Sequence, residues 1–520
     1  MTRDVIIVGA GPTGLWLAFE LRSAGLDVTV IERNVQRDIR SRAAAMAAGS
    51  VETFATRGIA QLFIDAGKPI HSVHYGSSAT RLQFSKDVLG TKYPHSLMIP
   101  QKKTEELLIE ACKEKGVHFL LGYNVVDLTQ DQSGVTVTCQ SEGLAPVIYA
   151  ASWLLGCDGT KSIVREKAGF DFPGSDRDLS GWLGDVLATD PPEEPLSVNN
   201  ESGCFLMQPL GYENYYRVTG VRLDRMKSAH ESAPTLDEVK AHAVSATGKD
   251  FGMHSPLWFS RYGNATRLVS NYRIGRVFVA GDAAHQFFPA GGQGITTGLA
   301  DAANLAWKLA AVINGRVKPE KADSLLDSYN TERSLALRAI INGTLAQTGL
   351  YAPENVRQRA LADVVYEIIA FPNVNRLLAQ RLTGFGDPFP GREETGEPLL
   401  GRRVTHLEIG GGFDKLLGAM DVSSFILINR SAAIEERLEK ATSPWSHWIK
   451  RFGVADGIAT FDEQWNGVDA VLLRPDGRII WASMRVVEEY IAGVICWSYG
   501  WIRHLIYALS DWLQVSKKWL

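Results

Sequence analysis

The sequence predicts an α/β protein (α+β overall), and three observations carry that prediction. Residues 5–8 form a short apolar run of β-branched side chains, which suits a strand buried on both faces of a parallel sheet. A glycine-rich turn follows at once, and a second apolar strand ends at Glu32, within about thirty residues. Two more buried strands, at 153–155 and 276–280, each run into a turn that pairs Gly with Asp. Strands that alternate with helices in this way indicate a parallel sheet.

The first turn matches the G-x-G-x-x-G fingerprint of a dinucleotide-binding βαβ unit. Gly9 permits the tight turn, Gly11 lets the backbone approach a pyrophosphate, and Gly14 lets the helix pack closely on the strand. The helix that begins near Pro12 offers free N–H groups to phosphates, and Glu32 can accept hydrogen bonds from a ribose. The pattern therefore predicts an adenine dinucleotide, against the alternative of a glycine-rich turn in some other α/β domain. The predicted contacts of this unit are Gly9, Gly11, Pro12, Thr13, Gly14, Glu32 and Arg33.

Two later turns extend the pattern. An Asp-Gly pair begins at Asp158, and a Gly-Asp pair stands at 281–282, followed by a glycine-rich stretch and a long helix expected from about Asp301. Each feature, when it is taken alone, can be explained by local structure without a function. Asp-Gly is a common turn pair, Gly-Asp can be a strand exit with a helix cap, and Arg42 can be a solvated surface arginine. Their order behind a complete βαβ unit favours a functional interpretation.

The three ordered motifs span most of residues 3–345 and resemble the flavoprotein aromatic hydroxylases, the single-component FAD monooxygenases with the fold of para-hydroxybenzoate hydroxylase. A later Arg-Pro-Asp-Gly hairpin at 474–477 is similar to the one in the phenol hydroxylase and aromatic polyketide hydroxylase branch. The resemblance implies non-covalent FAD, NADPH or NADH as a transient co-substrate, and O₂. It implies oxygen transfer from a flavin C4a-hydroperoxide to a phenolic or polyketide-like ring.

The resemblance also assigns roles to matching positions. Arg42 matches an arginine that reaches the FAD phosphates or the flavin edge, and Gln101 matches a polar residue near the ribityl chain. Asp158 matches an acid that serves both FAD and nicotinamide, and Asp282 one that binds the ribityl or ribose hydroxyls. Pro289 matches a proline whose carbonyl lies near the reacting oxygen. The further implied cofactor contacts are Gly281, Gly291, Gly292, Gly294 and Ile295. The residues expected to act in catalysis are Arg42, Pro289 and Gly292, with Tyr216 and Arg217 as candidates that line the substrate pocket.

The positions of the motifs divide the chain into domains. The predicted division is a discontinuous Rossmann-like FAD-binding domain at 1–174 and 265–383 with a helical segment at 322–383, a substrate-binding β-sheet domain at 175–264 with part of 70–98, a thioredoxin-like C-terminal domain at 392–485, and an amphipathic helical tail at 486–520. A Gly/Pro cluster at 384–391 marks the clearest boundary.

The two C-terminal regions are not expected to take part in catalysis. The thioredoxin-like domain has no C-x-x-C pair, so a structural or dimer-forming role is expected. The tail shows apolar residues at helical spacing. It is expected to dock on the protein itself or on a second subunit, with shallow membrane association as the alternative, because its longest uncharged run is too short to span a bilayer.

Composition narrows the classes of function. The net charge is −4 over 520 residues with mixed signs, so no nucleic-acid partner is expected. The five cysteines are scattered, which is typical of a reducing compartment, and the N-terminus lacks a secretory pattern. The histidines show no metal-ligand spacing. We therefore expect a cytoplasmic protein without a metal, which binds an aromatic small molecule and for which a homodimer is left open.

The same scaffold supports other reactions. Epoxidation, Baeyer–Villiger insertion and oxidative inactivation of an antibiotic stay open beside hydroxylation. A flavin-dependent halogenase is disfavoured because no W-x-W-x-I-P motif is found. A non-enzymatic flavin-binding protein is a different class, and substrate-stimulated NAD(P)H consumption would decide against it.

Overall fold

The architecture is that of a computed structural model, which describes residues 3–38, 40–76, 78–211, 214–222, 232–351, 353, 355–392, 398–404, 412–430, 434–453 and 468–484. The predicted amphipathic tail at 486–520 lies outside the described residues. Among the residues that are described, no helix combines the length and apolar composition that crossing a bilayer requires.

The secondary structure is mixed. The helices are α1 (Pro12–Ser23), α2 (Ala48–Ala55), α3 (Ala60–Ala66), α4 (Lys86–Leu89), α5 (Gln101–Glu114), α6 (Ile163–Lys167), α7 (Leu236–Thr247), α8 (Gly294–Ile313), α9 (Pro319–Tyr351), α10 (Val356–Ile369), α11 (Pro372–Thr383), α12 (Phe413–Ala419) and α13 (Glu435–Thr442). The strands are β1 (Arg3–Val8), β2 (Val28–Glu32), β3 (Ala45–Met46), β4 (Lys68–Ile70), β5 (Ser72–Val73), β6 (Leu82–Gln83), β7 (Ser96–Met98), β8 (His118–Leu121), β9 (Asn124–Gln130), β10 (Val135–Gln140), β11 (Val147–Gly156), β12 (Gly174–Ser175), β13 (Ser180–Ala188), β14 (Leu196–Asn200), β15 (Gly203–Pro209), β16 (Tyr216–Val221), β17 (Met253–Gly263), β18 (Thr266–Leu268), β19 (Arg273–Ile274), β20 (Val277–Val279), β21 (His285–Gln286), β22 (Phe425–Asn429), β23 (Ile449–Phe452), β24 (Val468–Leu473) and β25 (Ile479–Met484).

The largest sheet contains the strands of all three sequence motifs. Its main order is β19-β20-β11-β1-β2-β8, and β9 and β10 extend from β11. β1 pairs in parallel with β11 and with β2, and β11 pairs in parallel with β20. Because parallel strands end at the same edge of a sheet, the three turns that follow β1, β11 and β20 lie side by side.

Helix α8 begins earlier than the sequence predicts. The expected start was about Asp301, whereas the helix runs from Gly294. The first turns contain Gly and Thr, which have low intrinsic helix propensity. Packing overrides that propensity: a Cβ on Gly298 would lie 2.2 Å from the Thr13 hydroxyl of α1, so glycine lets the two helices approach closely.

A second sheet is antiparallel, with the order β14-β15-β16-β13-β17. Alternate residues of its strands face opposite sides. One side packs on α7, where Trp182, Val218 and Val239 are buried together. The other side meets the segment after β21, where Val221 and Phe288 share a buried cluster. Helix α7 itself was not anticipated from the sequence.

The C-terminal part forms a four-stranded sheet with the order β23-β22-β24-β25. β22, α13 and β23 make a parallel βαβ unit, and β24 and β25 form the hairpin expected around Asp476. The helical segment expected from 322 corresponds to α9, α10 and α11, and Gly384 caps α11 in the left-handed conformation at φ 84°.

Buried charges join this C-terminal sheet to α8 and α9. Glu332 of α9 accepts from Lys308 at 3.0 Å, from Arg474 at 2.9 Å and from Asn304 at 2.6 Å. Arg474 also pairs with Asp476 across the hairpin turn. Burial lowers the pKa of Lys308 to about 8, although Glu332 opposes that effect. We call Lys308, Glu332, Arg474 and Asp476 the interface cluster.

Candidate functional site

The glycine-rich turn after β1 has the geometry of a phosphate cradle. A Cβ on Gly9 would lie 2.4 Å from the Cys157 carbonyl oxygen, and one on Gly14 would lie 2.1 Å from the Gly9 carbonyl oxygen. Gly11 differs, because no heavy atom lies within 4 Å of its Cβ position. Two glycines therefore close the turn against its neighbours, while the third faces open space. Helix α1 begins directly behind it at Pro12, as predicted.

Glu32, at the end of β2, is tied back to the same turn. Its carboxylate accepts from the Ala10 N–H at 2.9 Å and from the Asn34 N–H at 2.9 Å. Arg37 donates to the Ala10 carbonyl at 2.6 Å, a contact that the sequence did not suggest. A carboxylate has about four acceptor sites, so Glu32 keeps capacity for a further donor. Arg33, the next residue after β2, is exposed.

The loop that carries Arg42 lies beside the start of α5. Gln101 donates its backbone N–H to the Ala43 carbonyl at 2.9 Å, and its side-chain oxygen accepts from the Ala43 N–H at 3.3 Å. The Ile99 N–H donates to the Ala44 carbonyl at 2.9 Å. The structure thus brings Arg42 and Gln101 together, and the Arg42 side chain is exposed.

The turn after β20 is held by an acid that sequence reasoning missed. Asp301 of α8 accepts from the Gly281 N–H at 2.9 Å, from His285 at 2.8 Å and from Arg333 at 2.6 Å. Burial alone would raise the pKa of Asp301, but Arg333 and His285 together lower it. An acid inside an otherwise apolar helix was the available signal. Asp301 therefore fixes the backbone that presents Asp282.

Asp282 itself lies beside this buried network. Solvent reaches its side chain. Desolvation by the surrounding protein raises the pKa of the carboxyl, and the charges of His285 and Arg42 oppose that rise. The first and third motifs also touch, because a Cβ on Gly281 would lie 2.6 Å from the Thr13 hydroxyl. The predicted residues of both motifs and the Arg42 loop consequently surround one region.

The segment before α8 is open in the same way. Residues 290–292 form a short 3₁₀ turn with φ near +70° at Gly291. Pro289, Gly291 and Gly292 are exposed, and no heavy atom lies within 4 Å of the Cβ position of Gly292 or of Gly294. Ile295 is partly buried in the first turn of α8. This N-terminus presents free N–H groups and the positive end of a 20-residue helix.

Asp158 has a local structural task. Its carboxylate accepts from the hydroxyl of Ser162, the N-cap residue of α6, and from the Val164 N–H at 3.1 Å, so it supports the N-terminus of that helix. Burial raises the pKa of this carboxyl, and the bond from Ser162 opposes the rise. The backbone at Asp158 lies against Gly9, which places the second motif beside the first. A role toward nicotinamide stays a prediction.

The expectation that Tyr216 and Arg217 both line one pocket is corrected by the structure. Consecutive strand residues face opposite sides, and Tyr216 packs on the α7 side of the sheet. Arg217 faces the other side but is only 4% exposed. Its guanidinium is bound to Asp185 and to the carbonyls of Ser41 and Arg42. It therefore contacts protein groups in place of a substrate.

Comparison with known proteins agrees with this arrangement. A family model for an FAD-binding domain matches residues 2–344, and a model for the C-terminal domain of aromatic-ring hydroxylases matches residues 397–494. The chain therefore belongs to the FAD-dependent aromatic-ring hydroxylases. The resemblance drawn from the motifs is confirmed, and so are the fold class and the flavin cofactor.

Similar proteins extend along nearly the whole chain. A rifampicin monooxygenase from Streptomyces venezuelae is 37% identical over 490 residues, which is 92% of this chain and 95% of the relative. A solved anhydrotetracycline hydroxylase from Streptomyces rimosus is 34% identical with a TM-score of 0.82, covering 93% and 96% of the two chains. A dialkyldecalin synthase from Streptomyces rugosporus is 31% identical, covering 93% and 96%.

Proposed function

We propose that this protein hydroxylates a phenolic or polyketide-like aromatic substrate, with NADPH or NADH as reductant and O₂ as the source of oxygen. The observation that carries the proposal is the meeting of three turns at one edge of one parallel sheet. The Cys157 N–H donates to the Val8 carbonyl at 2.8 Å and the Ala280 N–H to the Gly156 carbonyl at 3.0 Å, so the ends of β1, β11 and β20 are level. Ligands of open α/β sheets bind at such an edge.

The residues around this edge fit FAD. The open space at Gly11 suits a pyrophosphate above the N-terminus of α1, and Glu32 suits the adenosine ribose. The exposed Asp282 suits the hydroxyls of the ribityl chain, and Gln101, beside the Arg42 loop, is a second polar candidate for the same chain. The open glycines Gly292 and Gly294 suit the edge of the flavin ring that gathers negative charge on reduction. When bound, FAD supplies hydride acceptance and oxygen activation.

The antiparallel sheet supplies the wall over this region. Thr219 and Tyr262 share a hydroxyl contact at 3.1 Å, and the Tyr262 ring packs on Phe288 with centroids 5.7 Å apart. Phe288 directly precedes Pro289, where the reacting oxygen is expected. Leu206 and Ser260 lie on the same face of the sheet and are partly exposed. This mixture of apolar and hydroxyl groups suits a flat phenolic ring and excludes bulk water from it.

Oxidative modification of an antibiotic is a second candidate. The observation that favours it is the rifampicin monooxygenase, at 37% identity over 92% of this chain. The dialkyldecalin synthase carries a name that denotes no oxygenation, so the consumption of reductant must be measured and not assumed.

The test uses the purified protein with FAD, NADPH or NADH, and a panel of simple phenols, polycyclic aromatic polyketides and rifampicin. The proposal expects one class of compound to stimulate NAD(P)H consumption and to gain one oxygen atom by mass. Stimulation by rifampicin alone would favour the second candidate. Conversion without reductant consumption would reject a monooxygenase. The Asp282→Ala variant serves as the control with depleted flavin.

The remaining assignments are also proposals. We place FAD binding in 1–174 and 265–383, the substrate sheet in 175–264, and a structural role in 392–485. The four cysteines that the structure describes are free thiols, which supports a reducing compartment and hence the cytoplasm. Size-exclusion chromatography with light scattering tests whether the chain is a homodimer.

A further inference from the structure

Three side chains from adjacent strands form a buried polar group in the substrate sheet. Asp185 of β13 is in register with Arg217 of β16 and with Trp258 of β17. Arg217 Nε donates to Asp185 at 2.6 Å, and Trp258 Nε1 donates to the other carboxylate oxygen at 2.8 Å. All three are at most 7% exposed. We call Asp185, Arg217 and Trp258 the anchor cluster.

The anchor cluster reaches out of its own sheet. One terminal nitrogen of Arg217 donates to the Arg42 carbonyl at 2.9 Å, and the other donates to the Ser41 carbonyl. On its far side the same loop is held by Gln101 and Ile99, as described above. The loop that carries Arg42 is therefore fixed between the sheet and α5. Arg217 of the sheet holds residues 41 and 42. Gln101 and Ile99 on the FAD-binding side hold residues 43 and 44.

The chemistry of this contact is specific to arginine. A guanidinium presents its N–H donors in a rigid planar fork, so a carboxylate that fixes the Nε side also fixes the direction of both terminal nitrogens. A lysine would keep the charge pair with Asp185 but could not hold both carbonyls in the same geometry. Backbone carbonyls left unpaired in a buried site are costly, so the loop would shift toward other donors.

We propose that Arg217 is a positioning residue. Through the Ser41 and Arg42 carbonyls it sets the place of the Arg42 side chain, and so the rate at which bound flavin is reduced, without contacting substrate. The part of the proposal that concerns reduction rests on the proposed function. The part that concerns the loop does not.

The test compares Arg217→Lys with a matched control, Arg261→Lys. Arg261 belongs to the same sheet and donates to Glu238 at 2.8 Å, but on the face that packs on α7. Hydrogen exchange followed by mass spectrometry is measured over residues 41–46 of the FAD-loaded proteins. Anaerobic stopped-flow measures flavin reduction by NAD(P)H. The melting temperature of each variant records any general loss of stability.

We expect exchange in 41–46 to be roughly ten-fold or more faster in Arg217→Lys than in the wild type, with flavin reduction slowed by about ten-fold, and neither change in Arg261→Lys. Unchanged exchange would overturn the anchoring. Faster exchange with unchanged reduction would overturn the positioning of Arg42. If NAD(P)H does not reduce the wild-type flavin, the proposed function fails, and exchange alone still decides the anchoring. If Arg217→Lys does not fold, Arg217→Gln with Asp185→Asn removes both buried charges together and is judged by the same criteria.

Discussion

The cofactor edge and the C-terminal interface use charged residues in opposite ways. At the edge, Arg42 and Asp282 are exposed, and Gly11 faces open space. At the interface, Glu332 is buried between Lys308 and Arg474. Charges that stay in contact with solvent among open glycines are available to a ligand. Charges buried against one another hold elements together. We therefore expect substitutions at the interface to reduce stability, and substitutions at the edge to reduce cofactor binding or reaction rate while stability is spared.

The largest expected effect is at the centre of the interface cluster. Glu332→Gln leaves Lys308 and Arg474 buried without the carboxylate between them, and breaking a buried ion pair in this way costs roughly 3–5 kcal/mol. Lys308→Met is the matched control, because Glu332 keeps Arg474 and Asn304 as partners. Chemical denaturation of both variants measures the difference. A Glu332→Gln variant that is as stable as the wild type would remove the distinction between the two regions.

Asp282→Ala tests the cofactor edge. Loss of a charged acceptor is expected to cost on the order of 1.5–3 kcal/mol of FAD binding, with the melting temperature of the flavin-free protein unchanged. The absorbance ratio of flavin to protein after purification measures occupancy. Full flavin content in the variant would mean that the turn after β20 has been given the wrong role.

Arg42→Ala separates reduction of the flavin from its binding at the cofactor edge. FAD keeps its contacts with the first and third motifs, so binding should change little. The reductive step should slow by roughly ten- to a hundred-fold, because one charge-assisted contact is lost. Anaerobic stopped-flow isolates this step. Asp158→Ala is expected to slow reduction as well, but it also removes an acceptor for the N-terminus of α6. The melting temperature of this variant shows how much of its effect comes from lost stability.

Cys157→Ala should have the smallest effect. The thiol lies beside the cofactor edge. Burial raises its pKa well above the usual range, so the reactive thiolate form is scarcely populated. Hydroxylation and FAD content should both be retained. A Cys157→Ala variant with normal FAD content but no product would show that the thiol is needed for the reaction.

The parts of the site that the sequence predicted are those set by neighbours along the chain. The turn at Gly9, Gly11 and Gly14 follows from local backbone geometry, and its helix starts where Pro12 predicts. The N-terminal signal of α7 is also local, although the sequence prediction does not include this helix: the Thr235 side chain accepts from the Glu238 N–H at 3.2 Å, which is half of a capping box.

The parts that were missed depend on contacts between distant segments. Asp301 binds Arg333, 32 positions away, and the early start of α8 depends on its packing against Thr13. Tyr216 and Arg217 show a different kind of error. The two-residue period of a strand excludes a shared pocket for both, so the sequence contained the signal for that correction.

If the protein transfers one atom of O₂ to an aromatic substrate, isotopically labelled O₂ leaves its label in the product. The purified FAD-loaded protein is supplied with NADPH or NADH, the compound that stimulates reductant consumption, and labelled O₂ in unlabelled water. We expect one labelled oxygen atom in the product for each molecule converted. A product that carries its new oxygen from water, or no new oxygen at all, would contradict it.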